Sequence, residues 1–361
     1  MNKALQIRED EIIVKKRFFS DESFWNTKIE INPKIVTRSS HFIDLLYEAD
    51  QEKGFHINLH SWTIPVYEVT KDTPTFHIGK RMMQHTGEGK AFYMNSKNFI
   101  GSNKNHPLGH APGFGVDVPI PEEAIPDKES DAHMALIDYE QGIVWDMWAA
   151  EKKPDGTWWS CTGIRYDLNG SGVFDPAEFG IHNGESIHLY GPSRASGVPI
   201  IAGLIMHDEI MEGRIEHKLA CACSMVGLLE HCYPPAIWTD GAVPNGIPEG
   251  ALIQLDPGLD LDTYDLTREE KIIARALQEY GAVFTDYSGG VTLYGEGLWA
   301  NKDKDWDGLL DENGLRKIPF DKYRFVETGI TMEKGMVPMP HHHLFKAYHE
   351  KTGLPENIII K

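Results

Sequence analysis

No apolar run in this chain approaches the roughly 18 residues that a membrane-spanning helix needs, so no insertion into a bilayer is expected. The N-terminal stretch, Met1-Asn2-Lys3-Ala4-Leu5-Gln6-Ile7-Arg8-Glu9-Asp10, has no apolar core of the kind a secretory signal carries. Two expectations follow: a cytoplasmic protein, or one whose leader was removed and replaced by Met1. Basic charge is scarce. The 35 Lys and Arg residues face 54 Asp and Glu, leaving a formal net charge of −19. Nucleic acid and anionic membranes need a basic face, so the balance argues against both as partners, and it weighs against a strongly anionic polymer as substrate. Cysteine is sparse, with Cys161, Cys221, Cys223 and Cys232. No Cys-x-x-Cys spacing points to structural zinc, and spacing alone does not decide between a Cys221–Cys232 and a Cys223–Cys232 disulfide. There is no Gly-x-Ser-x-Gly elbow, no His-Glu-x-x-His, no phosphate-binding glycine loop and no dinucleotide fingerprint. Serine hydrolases, zincins, nucleotide enzymes and dinucleotide oxidoreductases all lose weight.

What the chain does have is enough apolar material for a large core: 41% of its 361 residues are hydrophobic. Short alternating runs separated by Gly, Pro, Asn and Asp predict strands at Phe55–Trp62, Val66–Val69, Ala91–Met94, Met134–Asp138, Ile143–Trp148, Trp158–Tyr166, Ile215–Cys223, Leu252–Leu255, Val291–Tyr294 and Tyr323–Glu327. The expectation is an all-β, mainly antiparallel protein of sandwich or jelly-roll type with one or two short helices. The better helix signal is Thr267-Arg268-Glu269-Glu270, a capping box ahead of the stripe Ile272, Ile273, Ala276 and Leu277, with Gly281 at the end. A shorter turn of helix is expected over Asp208–Glu212. The Pro-rich segment His106–Pro126 reads as a long ordered loop, and His341-His342-His343 as part of another. Nothing divides the chain, so the expected organisation is an arm over residues 1–18 and a single β-rich domain over 19–361.

Two acidic stretches carry calcium-loop spacing. In the first, Asp167, Asn169, Ser171, the Val173 carbonyl, Asp175 and Glu178 fall at the ligand places, with Gly172 at the sixth position of the Asp167 loop. Alternate oxygens around a tight turn, closed by a Glu, suit a hard cation. The second has Asp303, Asp305, Asp307, the Leu309 carbonyl and Asp311, with Gly314 where the closing Glu would stand. Both read as structural Ca2+ clamps on loops. The alternative is a pair of acidic turns whose side chains cap their own backbone.

Chemistry is expected from polar side chains on strand faces. Over Phe55–Trp62, alternation sets His56, Asn58, His60 and Trp62 opposite Phe55, Ile57 and Leu59. A ring that can stack on a pyranose, beside imidazole and amide groups that can bond hydroxyls, fits a sugar. An incidental polar sheet face is the bland alternative. Asp131 and His133 are predicted to share a strand face opposite Met134 and Leu136, close enough for the acid to orient the imidazole. Asp146 and Trp148 share a face in the next strand, as either a buried core acid or a catalytic one. Arg194, His217 and Asp240 complete the candidates, although Asp240-Gly241 also reads as a plain turn.

The series Phe24-Trp25-Asn26, Asp131-Ala132-His133-Met134, Asp146-Met147-Trp148, Ala202-Gly203-Leu204-Ile205 with Gly213-Arg214-Ile215-Glu216-His217, Thr239-Asp240-Gly241, Ile247-Pro248-Glu249-Gly250 and Ala276-Leu277-Gln278-Glu279-Tyr280-Gly281-Ala282 resembles a group of mostly secreted bacterial β-rich proteins with a glycan-related setting. The resemblance implies a secreted or cell-surface protein and brings no catalytic residues with it.

These readings converge on a glycan-cleaving enzyme acting on a polysaccharide. Hydrolysis, which needs two carboxylates, would draw on Asp131, Asp146 and Asp240. The alternative is β-elimination, with His133 or His217 as base and Arg194 and Asn58 neutralising a uronate. A calcium-stabilised glycan-binding protein without catalysis is the third reading.

Overall fold

The computed structural model describes residues 16–85, 91–95, 114–174, 194–227, 232–237, 239–241 and 243–330. Strands β7 (Met134–Asp138) and β8 (Ile143–Trp148) occupy the residues their alternation predicts. Met134, Leu136, Trp145 and Met147 face one apolar layer, and Ala135, Ile137 and Val144 face another. Period-two alternation thus packs both faces of this pair. With β11 (Thr162–Asp167) and β2 (Val66–Glu68) they make a four-stranded sheet in the order β11-β8-β7-β2.

The second layer is closed from its other side by a six-stranded sheet. It contains β1 (His56–Asn58), β12 (Leu219–Cys223), β13 (Leu252–Leu255), β14 (Ala282–Tyr287), β15 (Thr292–Tyr294) and β16 (Tyr323–Val326), in the order β1-β15-β12-β14-β13-β16. Ala220, Ala222, Leu252, Val283 and Tyr294 join Ala135, Ile137 and Val144 in that layer. On the opposite face, Leu219, Cys221, Phe284, Leu293 and Phe325 pack under α1 (Ser39–Ala49) and α3 (Arg268–Glu279) through Phe42, Leu46, Ile273 and Leu277.

A third sheet has the order β5-β4-β10-β9, built from β4 (Ile78–His85), β5 (Ala91–Asn95), β9 (Glu151–Lys152) and β10 (Trp158–Ser160), while β3 (Thr75–Phe76) pairs with β6 (Val118–Pro119).

The fold is therefore mostly β, with three α-helices among the described residues, the third being α2 (His207–Glu212). Its sheets correct the expectation of a mainly antiparallel protein. Each of the three larger sheets mixes directions, with parallel pairs β1–β15, β12–β14, β2–β7 and β4–β10. The physical reason is sequence distance. His56–Asn58 pairs with Thr292–Tyr294, so no hairpin turn dictates the relative direction.

Helix α3 forms as its caps demand. The Glu270 amide donates to Thr267 Oγ1 at 3.2 Å and the Thr267 amide donates to Glu270 Oε2 at 2.9 Å, a reciprocal cap in which the Thr side chain alone is worth about 1 kcal/mol. Gly281 ends it at φ +79°. Helix α2 stops at Gly213, also left-handed. Helix α1 was not expected. It has no side-chain cap at Arg38 and is held by Phe42, Leu45 and Leu46 against the sheet.

Several boundaries also shift. The run Phe55–Trp62 is a strand only over His56–Asn58, and Trp62 has φ +55°; Phe55, Ile57 and Leu59 are nonetheless buried together. The run Trp158–Tyr166 divides at Cys161 into β10 and β11. All four cysteines are buried free thiols, so neither disulfide pairing forms. No helix among the described residues is long and apolar enough to cross a membrane.

Candidate functional site

A β-bulge builds the centre of the site. Strands β12 and β14 pair in step from Leu219–Ala282 to Cys221–Phe284, and then the register slips so that Ala222 pairs with Asp286. Thr285 is the extra residue. Ala222 belongs to the layer between the two sheets, so the slip brings Asp286 onto that side. Without it, alternation from Phe284 would carry Asp286 onto the helix-covered face. Bulges beside functional sites re-aim side chains in this way.

Asp131 arrives from the other sheet. It lies in a turn and not on a strand, which corrects the predicted shared face of Asp131 and His133: Ala132 has φ +41° and β7 starts only at Met134. The Ala149 amide donates to the Asp131 carbonyl at 2.7 Å, and the Ala150 amide to the Ala132 carbonyl at 3.0 Å, tying the turn to the end of β8. Trp148 Nε1 donates to Asp131 Oδ1 at 3.2 Å. His133 is buried beside this turn, and its carbonyl accepts the Asp127 amide.

Asp240 and Glu249 come from two loops. The Gly241 amide donates to Thr239 Oγ1 at 2.8 Å, and a side chain at Gly241 would meet the Gly227 carbonyl, so the Thr239-Asp240-Gly241 turn is pressed against Gly227. Glu249 is pinned through its backbone. The Tyr233 amide donates to the Glu249 carbonyl at 2.8 Å, and the Gly250 amide donates to the Phe284 carbonyl at 2.7 Å. Gly250 must be glycine, at φ +87° with the Tyr233 carbonyl filling the place of a Cβ.

Asp131, Asp240, Glu249 and Asp286 are electrostatic neighbours. Asp131, Asp240 and Asp286 are half-buried, while Glu249 is fully enclosed. Burial, reinforced by the Asp131 charge, pushes the Asp240 carboxyl up to about 7. Burial and then Asp240 hold Glu249 well above the usual carboxylate range. Burial, Asp240 and Asp131 do the same to Asp286, against the opposing pull of Arg194. Like charges in a partly dry space cannot all ionise together.

Arg194 lies beneath this cluster, 1% exposed, with its guanidinium 4.2 Å from the centroid of the Tyr294 ring. Its charge faces Asp286 and Asp146. Asp146 is fully buried between the sheets, and its Oδ2 accepts the Ile200 amide at 3.0 Å. Of the two readings the sequence left open for Asp146, its burial places it with the core acids.

The other predicted residues lie elsewhere. His217 is buried, with Nδ1 on the Lys218 carbonyl at 2.8 Å and Nε2 on Glu209 at 3.1 Å, so both ring nitrogens are engaged. Asn58 takes the Thr292 hydroxyl and gives its amide to the Trp62 carbonyl. His56 meets Asn313, and His60 bridges Asp307 and Glu312. Burial lowers the His60 pKa, but those two acids outweigh it and the net shift is upward. Trp62 is exposed. Asp286 and Glu249 are the residues that reading the sequence missed.

Of the first acidic loop, Asp175 and Glu178 lie outside the described residues, as do His341-His342-His343 and the first part of His106–Pro126. Asp167 Oδ1 accepts the Asn169 amide at 2.8 Å, and Ser171 Oγ donates to the Val173 carbonyl at 2.9 Å. These bonds satisfy a self-capped turn, while the all-oxygen donor set also fits a hard cation. In the second loop, Asp305 and Asp311 accept the amides of Asp307 and Asn313, Asp303 gives its amide to Asn301, and Leu309 gives its amide to the Trp306 carbonyl.

Comparison with protein-family models, curated proteins and solved structures finds no match to this chain.

Proposed function

We propose that the chain cleaves glycosidic bonds in a polysaccharide by hydrolysis. The observation that carries this reading is the convergence of Asp131, Asp240 and Asp286, one from each of three separate segments, in half-buried positions. Glycoside hydrolysis needs one carboxyl that holds a proton for the leaving oxygen and a second, ionised one for water or the sugar carbon. Asp240, at about 7, has the pKa of a general acid operating near neutrality. Asp131, which takes the Trp148 indole N–H, is the second carboxylate. Exposed rings lie near the acids along the chain: Tyr287 follows Asp286, and the Tyr233 amide is bonded to the Glu249 carbonyl. Such rings pair an apolar face with a polar tip, as sugar stacking requires.

Elimination receives less support. Arg194 is sealed under Tyr294, Asn58 has both ends of its amide engaged, and His217 is clamped by Glu209. A non-catalytic glycan binder would not require a carboxyl pushed up to about 7. With the hydrolytic reading go a sandwich-type arrangement of the two sheets that share an apolar layer, a secreted or surface setting, and calcium at the Asp167 loop.

The test is incubation with a panel of polysaccharides. New reducing ends without unsaturated-uronate absorbance are expected. That absorbance would establish elimination instead, and retention of a glycan without products would reduce the protein to a binder.

A further inference from the structure

Glu249 poses an unmet requirement. It is fully buried, and neither of its carboxyl oxygens has a hydrogen-bond donor among the described residues. The Thr239 hydroxyl approaches it but points to the Gly227 carbonyl instead, and the Asp240 amide comes near without reaching bonding geometry. Among the described residues, the charged and titratable groups that face Glu249 are Asp240, Asp286 and the thiols of Cys223 and Cys232. None of these is a cation. Arg194 spends its charge on Asp286 and Asp146. Asp240 lies within hydrogen-bonding reach of Glu249, yet two carboxylates cannot bond without a proton between them. A buried anion with neither donor nor counter-ion is among the costliest arrangements in a protein, and such a group takes up a proton instead.

We infer that Glu249 is held as a neutral carboxylic acid that donates a hydrogen bond to Asp240, making it the positioning residue for the proton-transferring acid of the site. The role in catalysis rests on the hydrolytic reading; the protonation of Glu249 does not. Asp240, the half-buried member of the pair, keeps the face that exchanges protons with solvent. In the bond-breaking step the Asp240 O–H bond breaks, a bond forms from that proton to the glycosidic oxygen, and the C–O bond cleaves with its electron pair leaving on that oxygen, while a water that gives its proton to Asp131 bonds to the sugar carbon. The Asp240 carboxylate left behind is met by the Glu249 O–H. A carboxylic acid kept neutral by its site so that it can donate is an established device.

Infrared spectroscopy of the full chain tests the inference without any substrate. At about pH 8, where ordinary carboxyls are ionised, carbonyl absorption of protonated carboxylic acids is expected, shifting in heavy water and reduced in Glu249→Gln, while the part that Asp286 contributes persists in both chains. No such absorption in the wild type, or no reduction in Glu249→Gln, overturns the inference. Once a substrate is known, Glu249→Gln, which retains an N–H donor, is expected to keep turnover within about tenfold. Glu249→Leu is expected to lower kcat by about 10²-fold with KM little changed and to displace the alkaline limb of the pH profile. Equal kinetics in the two variants would remove the positioning role. An inactive wild type with the Glu249-dependent absorption intact would instead count against the hydrolytic reading alone.

Discussion

Asp146 and Arg194 are joined through a single residue: the Ile200 amide donates to Asp146 Oδ2 at 3.0 Å and Arg194 Nη2 donates to the Ile200 carbonyl at 3.0 Å. The buried charges are thereby fixed to the same peptide segment between the sheets. Arg194→Met removes the positive charge that faces Asp286 and Asp146 and is expected to destabilise the fold measurably. Asp146→Asn added to it is expected to restore part of that loss. Denaturant unfolding of the two single variants and the double variant measures the coupling, and strict additivity would show that the pair is not coupled.

Asp240→Asn and Asp131→Asn are each expected to reduce turnover on the hydrolysed glycan by about 10²–10⁴-fold with little change in KM. His217→Gln is expected to leave the catalytic parameters near wild type, because both ring nitrogens are occupied by Glu209 and the Lys218 carbonyl. Steady-state kinetics on the three variants checks the assignment, and near-wild-type rates for Asp131→Asn would remove it from the mechanism.

The acid cluster sets a pH dependence of stability with a definite sign. Asp240 ionises at about 7 in the fold, and Glu249 and Asp286 are also raised. In the unfolded chain these groups ionise near about 4. Between about pH 4 and about pH 7 the folded state holds more protons, so stability is fully present below that window and falls as pH rises through it. His217 and His60, also raised, are stabilising while protonated and lose that contribution as pH rises through their folded pKa values, so they add to the same slope at its upper end. The melting temperature is expected to drop across the window, and less steeply in Asp240→Asn. Parallel curves for wild type and variant would show that Asp240 is not raised.

Calcium at the Asp167 loop has its own readout. An ion that binds only the folded state stabilises it by mass action. Chelation is therefore expected to lower the melting temperature, and Asp167→Ala is expected to abolish that response. Identical melting curves with and without chelator, together with no metal in elemental analysis, would leave only the self-capped turn that the Asn169 and Val173 bonds describe.

Where alternation or capping is strong, the chain is legible. Met134–Asp138, Ile143–Trp148, Leu252–Leu255 and Arg268–Glu279 all form where their patterns predict. Asp131, Asp240, Trp148 and Arg194 were also visible as candidates, and the fold gathers them. Other features were hidden because they depend on partners far along the chain. The stripe Phe42, Leu45, Leu46 would have betrayed α1, but no cap marks its start. Strand β14 follows α3 after only Tyr280 and Gly281, and a straight strand would carry Asp286 beside Phe284, facing the helices. That conflict between burial and charge was the signal of a bulge. Over His56–His60 the polar face is real, and its imidazoles meet Asn313, Asp307 and Glu312, partners that lie far along the chain and that alternation does not reveal.

In terms of descent, the bulge at Thr285 is a choice of pairing. The same β14 sequence held in register with β12 to its end would turn Asp286 toward the helices and deliver no carboxylate to the space between the sheets. Core and chemistry in this strand are therefore written in separable instructions: Ala282, Val283 and Phe284 maintain the packing on both faces, and the register taken after them decides whether the strand end is inert or acidic. A scaffold arranged this way can gain or lose its reactive carboxylate by a slip of pairing while the layers behind it keep their sequence.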